Sequence, residues 1–352
     1  MFAVKWVSIF VVAGVVSAFL TGVLRRYALA RQLLDRPNSR SSHSVPTPRG
    51  GGVAIVSVFV LGLGLLSLSK VLDSSPGTLW ALCGAGTWVA LIGFLDDHGH
   101  VAARWRLLAH FTGAALGLYG LGGFPPILYT LSLGTTEPLL INLGWIGQFI
   151  GLFYLVWLLN LYNFMDGIDG LAGIEAISVS LGGAVLLFLK HQAITNEGLT
   201  LILLAVTVLG FLCWNFPPAK IFMGDAGSGF LGIILGLLSL QGAWIAPQFF
   251  WSWLILLGVF IVDATWTLGR RFIQGEKVYE AHRSHAYQYA ARYYGSHQKV
   301  SLMVALINVI WLLPWALVVG LADLNAYVGL IVAYTPLLVL VIYFDAGKRE
   351  LG

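Results

Sequence analysis

Residues 144–189 read GWIGQFIGLFYLVWLLNLYNFMDGIDGLAGIEAISVSLGGAVLLFL. Two apolar runs, near 144–161 and 171–189, flank a short polar turn that holds Asn163, Asp166 and Asp169. Each run approaches the roughly 20 residues that cross about 30 Å of hydrocarbon. The same alternation extends in both directions. Further runs lie near 2–24, 51–69, 79–95, 107–123, 199–214, 228–246, 250–268, 301–321 and 326–344, about eleven in all. The expectation is an all-α, polytopic membrane protein, with residues 1–352 forming one integral membrane domain.

Composition agrees. Of 352 residues, 58% are apolar and 10% are charged, against about 25% charged in a soluble domain. The two cysteines, Cys83 and Cys213, lie inside apolar runs and form no CxxC pair, so no disulfide or zinc role is inferred. No basic arm or folded module is present to carry nucleic acid.

Charge placement orients the chain. Apart from Lys5, Lys70 and Lys190, the twenty Lys and Arg residues fall in every second gap between apolar runs. Short loops rich in Lys and Arg stay in the cytoplasm. The N-terminus is therefore expected on the periplasmic side and the C-terminus in the cytoplasm. Arg25 and Arg26 follow the first run like a stop-transfer flank, which argues against a cleaved signal peptide. Asp73, Glu137, Glu197 and Asp323 fall on outer loops and read as solvated charges. The remaining acids gather on the basic side, near span ends. Ionisable groups so close to a membrane are functional candidates, and transporters tend to hold their sites near the midplane instead. A basic rim also suits anionic membrane lipids and phosphorylated substrates.

Four stretches carry the candidate chemistry. Asp96 and Asp97 end a span in LIGFLDDHGHVAARWR, residues 91–106. Adjacent carboxylates repel unless a cation or proton lies between them, and acids at a helix C-terminus oppose its dipole. Arg104 and Arg106 follow; they suit phosphate, or anchor the next span at the interface with Trp105. In residues 160–173, Asn160, Asn163, Asp166 and Asp169 recur every third position, which would line one face of a helix with oxygen ligands. Hard cations such as Mg2+ take such ligands; a capped loop is the alternative. In KIFMGDAGSGFLG, residues 220–232, Asp225 sits in a glycine-rich turn before a span, with Lys220 at the same edge. A helix start of this kind suits phosphate, while Gly229, Gly232 and Gly236 would let helices pack closely. In residues 276–295, His282, Arg283 and His285 form an H-R-x-H group beside Tyr279, Tyr287 and Tyr289. Phosphate binding and an amphipathic interfacial helix both fit that stretch.

Taken together, RPNSRSSHSVPTPRGGG, DDHGHVAARWR, NFMDGIDGLAG, KIFMGDAGSGFLG and AHRSHAYQ, in that order, resemble the polyprenyl-phosphate N-acetylhexosamine-1-phosphate transferase family of glycosyltransferase family 4 type. The resemblance spans nearly the whole chain. The peptidoglycan branch carries three consecutive histidines in the last loop; this chain lacks them, which places it nearer the O-antigen-initiating branch.

What the resemblance implies is specific. A sugar 1-phosphate passes from a UDP-N-acetylhexosamine to undecaprenyl phosphate with release of UMP, using Mg2+ or Mn2+, at the cytoplasmic face of a bacterial inner membrane. It would initiate O-antigen or lipopolysaccharide synthesis, and a homodimer is compatible with it. Loops 25–50, 96–106, 162–170, 215–227 and 269–300 would form the active site. Asp225 and Asn163 would hold the metal. Asp169 and Phe222 would hold the uracil ring, and Arg283 the diphosphate. Asp166, Arg104, Arg106, Lys220 and His285 would complete the substrate contacts. Asp96, Asp97 and His282 would serve catalysis, and His43 with the Pro48–Gly51 turn matches the first motif. A phosphate monoester is already mostly dianionic at neutral pH, so the acidic pair is expected to position metal and basic groups rather than to take a proton. A transporter or flippase for an anionic substrate is the competing function class.

Overall fold

The computed structural model describes residues 2–37, 42–43, 45–99, 101–129, 139–277, 282–322 and 324–349. Arg40, Glu137, Tyr279 and Asp323 lie outside them. Among the described residues the chain is a bundle of helices: α1 (Phe2–Ala30), α2 (Gly52–Leu68), α3 (Pro76–His98, with a π-helical turn at Trp80–Ala85) and α4 (Ala103–Gly120). There follow α5 (Gly144–Met165), α6 (Leu171–His191), α7 (Asn196–Asn215) and α8 (Asp225–Ile245). The remainder are α9 (Phe249–Leu256), α10 (Gly258–Ile273), α11 (Ala286–Tyr294), α12 (His297–Leu321, π-helical at Ile307–Leu312) and α13 (Ala326–Tyr343). Two short antiparallel ribbons accompany them. One pairs β1 (Leu34–Asp35) with β2 (Thr47–Pro48); the other pairs β3 (Ile127–Tyr129) with β4 (Leu139–Ile141).

Among the described residues, eight helices are long and apolar enough to cross a membrane, and the pair α9–α10, bent by 71°, raises the number to nine. The expected count of about eleven is thus met only in part. The two other expected runs are α2, only 17 residues long, and α4, which opens with Arg104 and Arg106. The chain is an integral, multi-pass, all-α membrane protein.

The helix α8 is the centre of the bundle, buried almost throughout from Ala226 to Ala243. Its glycines explain how. A Cβ at Gly232 would stand 2.7 Å from the Leu159 Cα and 2.9 Å from the Leu158 carbonyl. At Gly236 it would meet the Leu155 side chain at 2.8 Å. The small residues therefore let α5 and α8 touch backbone to backbone, as expected where van der Waals contact rather than water drives association. Outer helices instead show apolar faces: Val11, Val15 and Phe19 on α1 are exposed, as lipid-facing residues would be. Gly232→Val should push α5 away from α8 and cost about 1–3 kcal/mol. A thermal melt in detergent should show a lower midpoint than for Gly64→Ala, whose added Cβ meets nothing within 4 Å. Equal midpoints would contradict this packing.

Candidate active site

Asp97, at the end of α3, is only 4% exposed. Its Oδ1 accepts the Asp225 N–H at 3.1 Å and its Oδ2 the Ala226 N–H at 3.2 Å. An acid misplaced on its own helix is thus well placed on another: it caps the start of α8, where free N–H groups and the positive dipole end favour a carboxylate. Two backbone features allow the approach. Gly224 adopts φ 77°, and a Cβ there would collide with the Asp97 carboxylate at 2.6 Å. Gly93 packs directly on the Asp225 carbonyl. Arg49 donates from Nη2 to the Asp97 carbonyl at 2.5 Å, tying in the first basic-side loop. The expectation that this helix start receives phosphate needs correction, because Asp97 takes its first two N–H groups.

Asp225 itself faces a shared network. Asn163 Nδ2 donates to its Oδ1 at 3.0 Å and to Ser228 Oγ at 3.0 Å. Arg106 Nη1 lies 3.4 Å from its Oδ2 and 2.5 Å from Asp96 Oδ2. Asp96 also accepts the Val101 N–H at 2.8 Å, so it orients the Arg106 loop rather than lining the cleft. Arg104 is exposed and lies over the Trp105 ring at 5.5 Å, the anchoring alternative for that residue. Lys220 is exposed over Trp214 at 5.7 Å and lines no part of the cleft.

The run of Asn and Asp does not form one helix face. The helix α5 stops at Met165, and Gly170, at φ 77°, starts α6. Asn160 and Asn163 are helical; Asp166 and Asp169 belong to the turn. Distant groups hold that turn: Asn215 Oδ1 accepts the Gly170 N–H at 3.0 Å, and Ser301 Oγ donates to the Asp169 carbonyl at 2.9 Å. Burial pushes the Asp166 carboxyl well above the usual carboxylate range, and the charges of Asp225, Asp97 and Asp169 add to this. Burial also acts to raise Asp169, but hydrogen bonds from His297 and the Ala219 N–H, with the charges of His297 and His43, hold it below that range. The Ala219 N–H to Oδ2 distance is 2.9 Å, and His297 Nδ1 stands 3.3 Å from Oδ1.

Phe222 is placed by a short ladder across the chain. Its N–H donates to the Pro48 carbonyl, and its own carbonyl accepts the Gly51 N–H. The His43 ring meets it edge-on at 4.8 Å. The result is a cleft of about 250 Å³ to which all five expected loops contribute, through residues that include Arg49, Asp97, Asp166, Asp225, Phe222 and His297. An adjoining cleft of about 540 Å³ shares His43, Asp169, Phe222, Gln288 and His297. Asp97, Asp166 and Asp225 therefore face one space.

The last loop behaves differently from its expectation. His285 is 1% exposed and serves the fold: its Nδ1 lies 3.2 Å from Asp263 Oδ1. Asp263, on α10, also accepts the Ala286 and Tyr287 N–H groups at 2.9 and 3.0 Å, capping α11. A residue so enclosed cannot contact substrate, so His285 is a structural residue. His282 pairs with Ser284 Oγ at 3.0 Å, and burial first, then His285 and Arg271, depress its imidazole to about 3. It is neutral near pH 7 and does not line the clefts; nor does Arg283, whose carbonyl accepts from Arg292. From this region Gln288 and His297 line both clefts. Gln288 closes the AHRSHAYQ stretch, where the histidines drew attention instead; His297 lies outside every motif, though it follows a helix-capping Ser296 on the basic side. Asp263 was hidden by its place inside an apolar run.

The glycosyl transferase family 4 domain matches residues 79–243. A probable undecaprenyl-phosphate N-acetylglucosaminyl 1-phosphate transferase from Bacillus subtilis (strain 168) is 28% identical over 313 residues, 88% of this chain and 83% of the relative. A decaprenyl-phosphate N-acetylglucosaminephosphotransferase from Mycolicibacterium smegmatis is 29% identical over 322 residues, 84% of this chain and 77% of the relative. A phospho-N-acetylmuramoyl-pentapeptide-transferase from Rhodopseudomonas palustris (strain BisB18) is 30% identical over 231 residues, 58% of this chain and 62% of the relative. The chain belongs to the polyprenyl-phosphate N-acetylhexosamine-1-phosphate transferase family.

Proposed function

We propose that this chain transfers an N-acetylhexosamine 1-phosphate from a UDP-sugar to undecaprenyl phosphate and releases UMP. The work would take place on the cytoplasmic face of a bacterial inner membrane and start an envelope polysaccharide such as O-antigen. One observation carries the reading: Asp97, Asp166, Asp169, Asp225 and Phe222, drawn from three loops, line one cleft, in a chain whose relatives carry such names. The transporter alternative has no comparable support.

The chemistry follows from charge. An oxygen of the lipid phosphate attacks the β-phosphorus of the UDP-sugar. A new P–O–P linkage forms, the bond from the β-phosphorus to the bridging oxygen breaks, and UMP leaves with that electron pair. A monoester meeting a diphosphate brings like charges together, each pair at 4 Å costing about 4 kcal/mol at an effective dielectric of 20. Phe222 and Asp169 suit the uracil ring by stacking and hydrogen bonding. Arg106 and Arg49 supply positive charge beside the carboxylates. Asp97, whose two oxygens accept the first two α8 N–H groups, holds Asp225 in place. The nucleophile at neutral pH needs no base.

A divalent cation fits the donor set. Crowded carboxylates raise one another, as at Asp166, and Asp225 with Asn163 offers hard oxygen ligands beside them. Mg2+ or Mn2+ held there would neutralise diphosphate charge and stabilise the departing UMP. Among the described residues no set of three or more His, Cys, Asp or Glu forms a cage by itself, so substrate oxygens and water would complete the coordination.

Incubating detergent-purified protein with undecaprenyl phosphate, Mg2+ and a panel of UDP-N-acetyl sugars tests the proposal. The expected result is UMP release with at least one of N-acetylglucosamine, N-acetylfucosamine or N-acetylquinovosamine as the sugar, dependent on both lipid and cation. No release with any sugar would defeat it.

A further inference from the structure

His297 opens α12 and has no part in the reaction as described, yet both its ring nitrogens are engaged across the cleft. Nδ1 lies 3.3 Å from Asp169 Oδ1 and 3.4 Å from the Asp169 N–H; Nε2 lies 3.1 Å from the Ser42 carbonyl. It thus joins three parts of the chain: the turn between α5 and α6, the first basic-side loop and the start of α12. Its ring also borders both the smaller and the larger cleft, beside Phe222.

We infer that His297 is a positioning residue that sets affinity for the nucleotide donor, by clamping Asp169 to the first loop, and that the clamp tightens when the imidazole is protonated. The inference rests on the proposed function, in which Asp169 meets the uracil edge. Imidazolium carries two N–H donors; neutral imidazole carries one donor and one acceptor. Only the protonated ring can donate to Asp169 Oδ1 and to the Ser42 carbonyl at once. With Nε2–H kept on Ser42, the neutral ring turns a lone pair toward the carboxylate and can only accept the Asp169 N–H. The Asp169 side chain then retains the Ala219 N–H as its firm anchor. Loss of one charge-assisted hydrogen bond loosens both the carboxylate and the loop behind it. Histidine is the side chain whose ordinary titration spans neutral pH.

Other charges face this ring and compete for the role. Asp169 itself comes from the α5–α6 turn. Asp35 and His43 come from the first loop, with His43 Nε2 3.9 Å from Asp35 Oδ2. Arg292, from α11, lines the larger cleft with it. His43 is the principal rival, since it is also an imidazole and touches Phe222.

The test is UDP binding by calorimetry to the full chain in detergent, for wild type and His297→Gln, at pH 6.5 and 8.5. The ratio of the two proteins at each pH cancels the ligand's own titration. Glutamine can still donate to the Ser42 carbonyl but carries no proton-dependent charge. The expected result is about tenfold weaker binding by the variant at pH 6.5, converging on wild type at pH 8.5. Steady-state kinetics at pH 6.5 should show KM for the UDP-sugar raised by a similar factor, with kcat changed by less than about twofold. Agreement at pH 8.5 also shows that the variant is folded. A ratio that stays constant with pH, no loss at pH 6.5, or a fall in kcat with KM unchanged would each overturn the inference; a constant ratio alongside a pH-dependent wild type would point to His43. If wild type binds no UDP, the functional reading itself fails.

Discussion

Asp225→Asn is expected to reduce UMP release by about 10³-fold or more while leaving the fold intact. The substitution keeps the volume of the side chain, and the α8 start stays capped because Asp97 takes backbone N–H groups, not the Asp225 carboxylate. What is lost is one negative charge at the point where Asn163 and Arg106 converge. If a divalent cation is held there, as proposed, the loss removes its strongest ligand, and electrostatic stabilisation of a departing phosphate is commonly the largest part of catalysis. The assay is UMP release at saturating Mg2+, with a thermal melt as the control for folding. Activity within tenfold of wild type would show that Asp225 is not the principal ligand. Asp166→Asn offers a contrast. Its carboxyl is pushed up by burial and by three neighbouring acids, so neutralising it should relieve repulsion and affect the empty protein's stability less than removal of a paired charge would.

The second large effect is expected from Asp97→Asn, and here the pH profile matters more than the size. An amide in place of the carboxylate can accept from one of the two α8 N–H groups but presents an N–H₂ to the other. Loss of a good helix cap costs about 1–2 kcal/mol, and the displaced start of α8 carries Asp225 with it. Activity should fall by about 10²-fold or more, as misplacement of a reacting group by an ångström can do. If the residue positions rather than deprotonates, as proposed, the variant should stay impaired as pH rises from 6 to 8.5. A variant that regains most activity above the second pKa of the phosphate monoester, near 6, would show that Asp97 had been acting as the general base.

The membrane class and the reactive stretches were legible from the chain alone, for simple reasons. Apolar length and the one-sided placement of Arg and Lys are local properties, and local properties survive in any packing. The motif around Asp166 and Asp169 was visible for the same reason. Its geometry was not. Spacing of three suggests a single helix face, but α5 ends at Met165, Gly170 begins the next helix, and the turn takes its shape from Asn215 and Ser301, far away in sequence. The span count shows a related limit. The helix α2 is short and α4 begins with two arginines, so neither stands out by length and apolarity as the others do.

His285 and His297 show most clearly where reading by residue type stops. Both are histidines in the same polar stretch, and type alone favoured the first because it belongs to a recognisable group. Packing reverses the order. Asp263, buried inside an apolar run, binds His285 and the start of α11, and so removes that histidine from solvent. His297, without any motif, is carried by the α12 start to the rim of the cleft. Asp97 makes the same point in the other direction: unfavourable on its own helix, it is favourable at the head of α8. Composition and periodicity decided that this chain lives in a membrane and keeps its acids toward one side, since hydrophobic length and charge are additive along the chain. Only the folded bundle decided which acids share a cleft, which histidine is enclosed and which is presented, because those depend on contacts between residues on different elements, such as Asp97 with Asp225, His285 with Asp263 and His297 with Ser42.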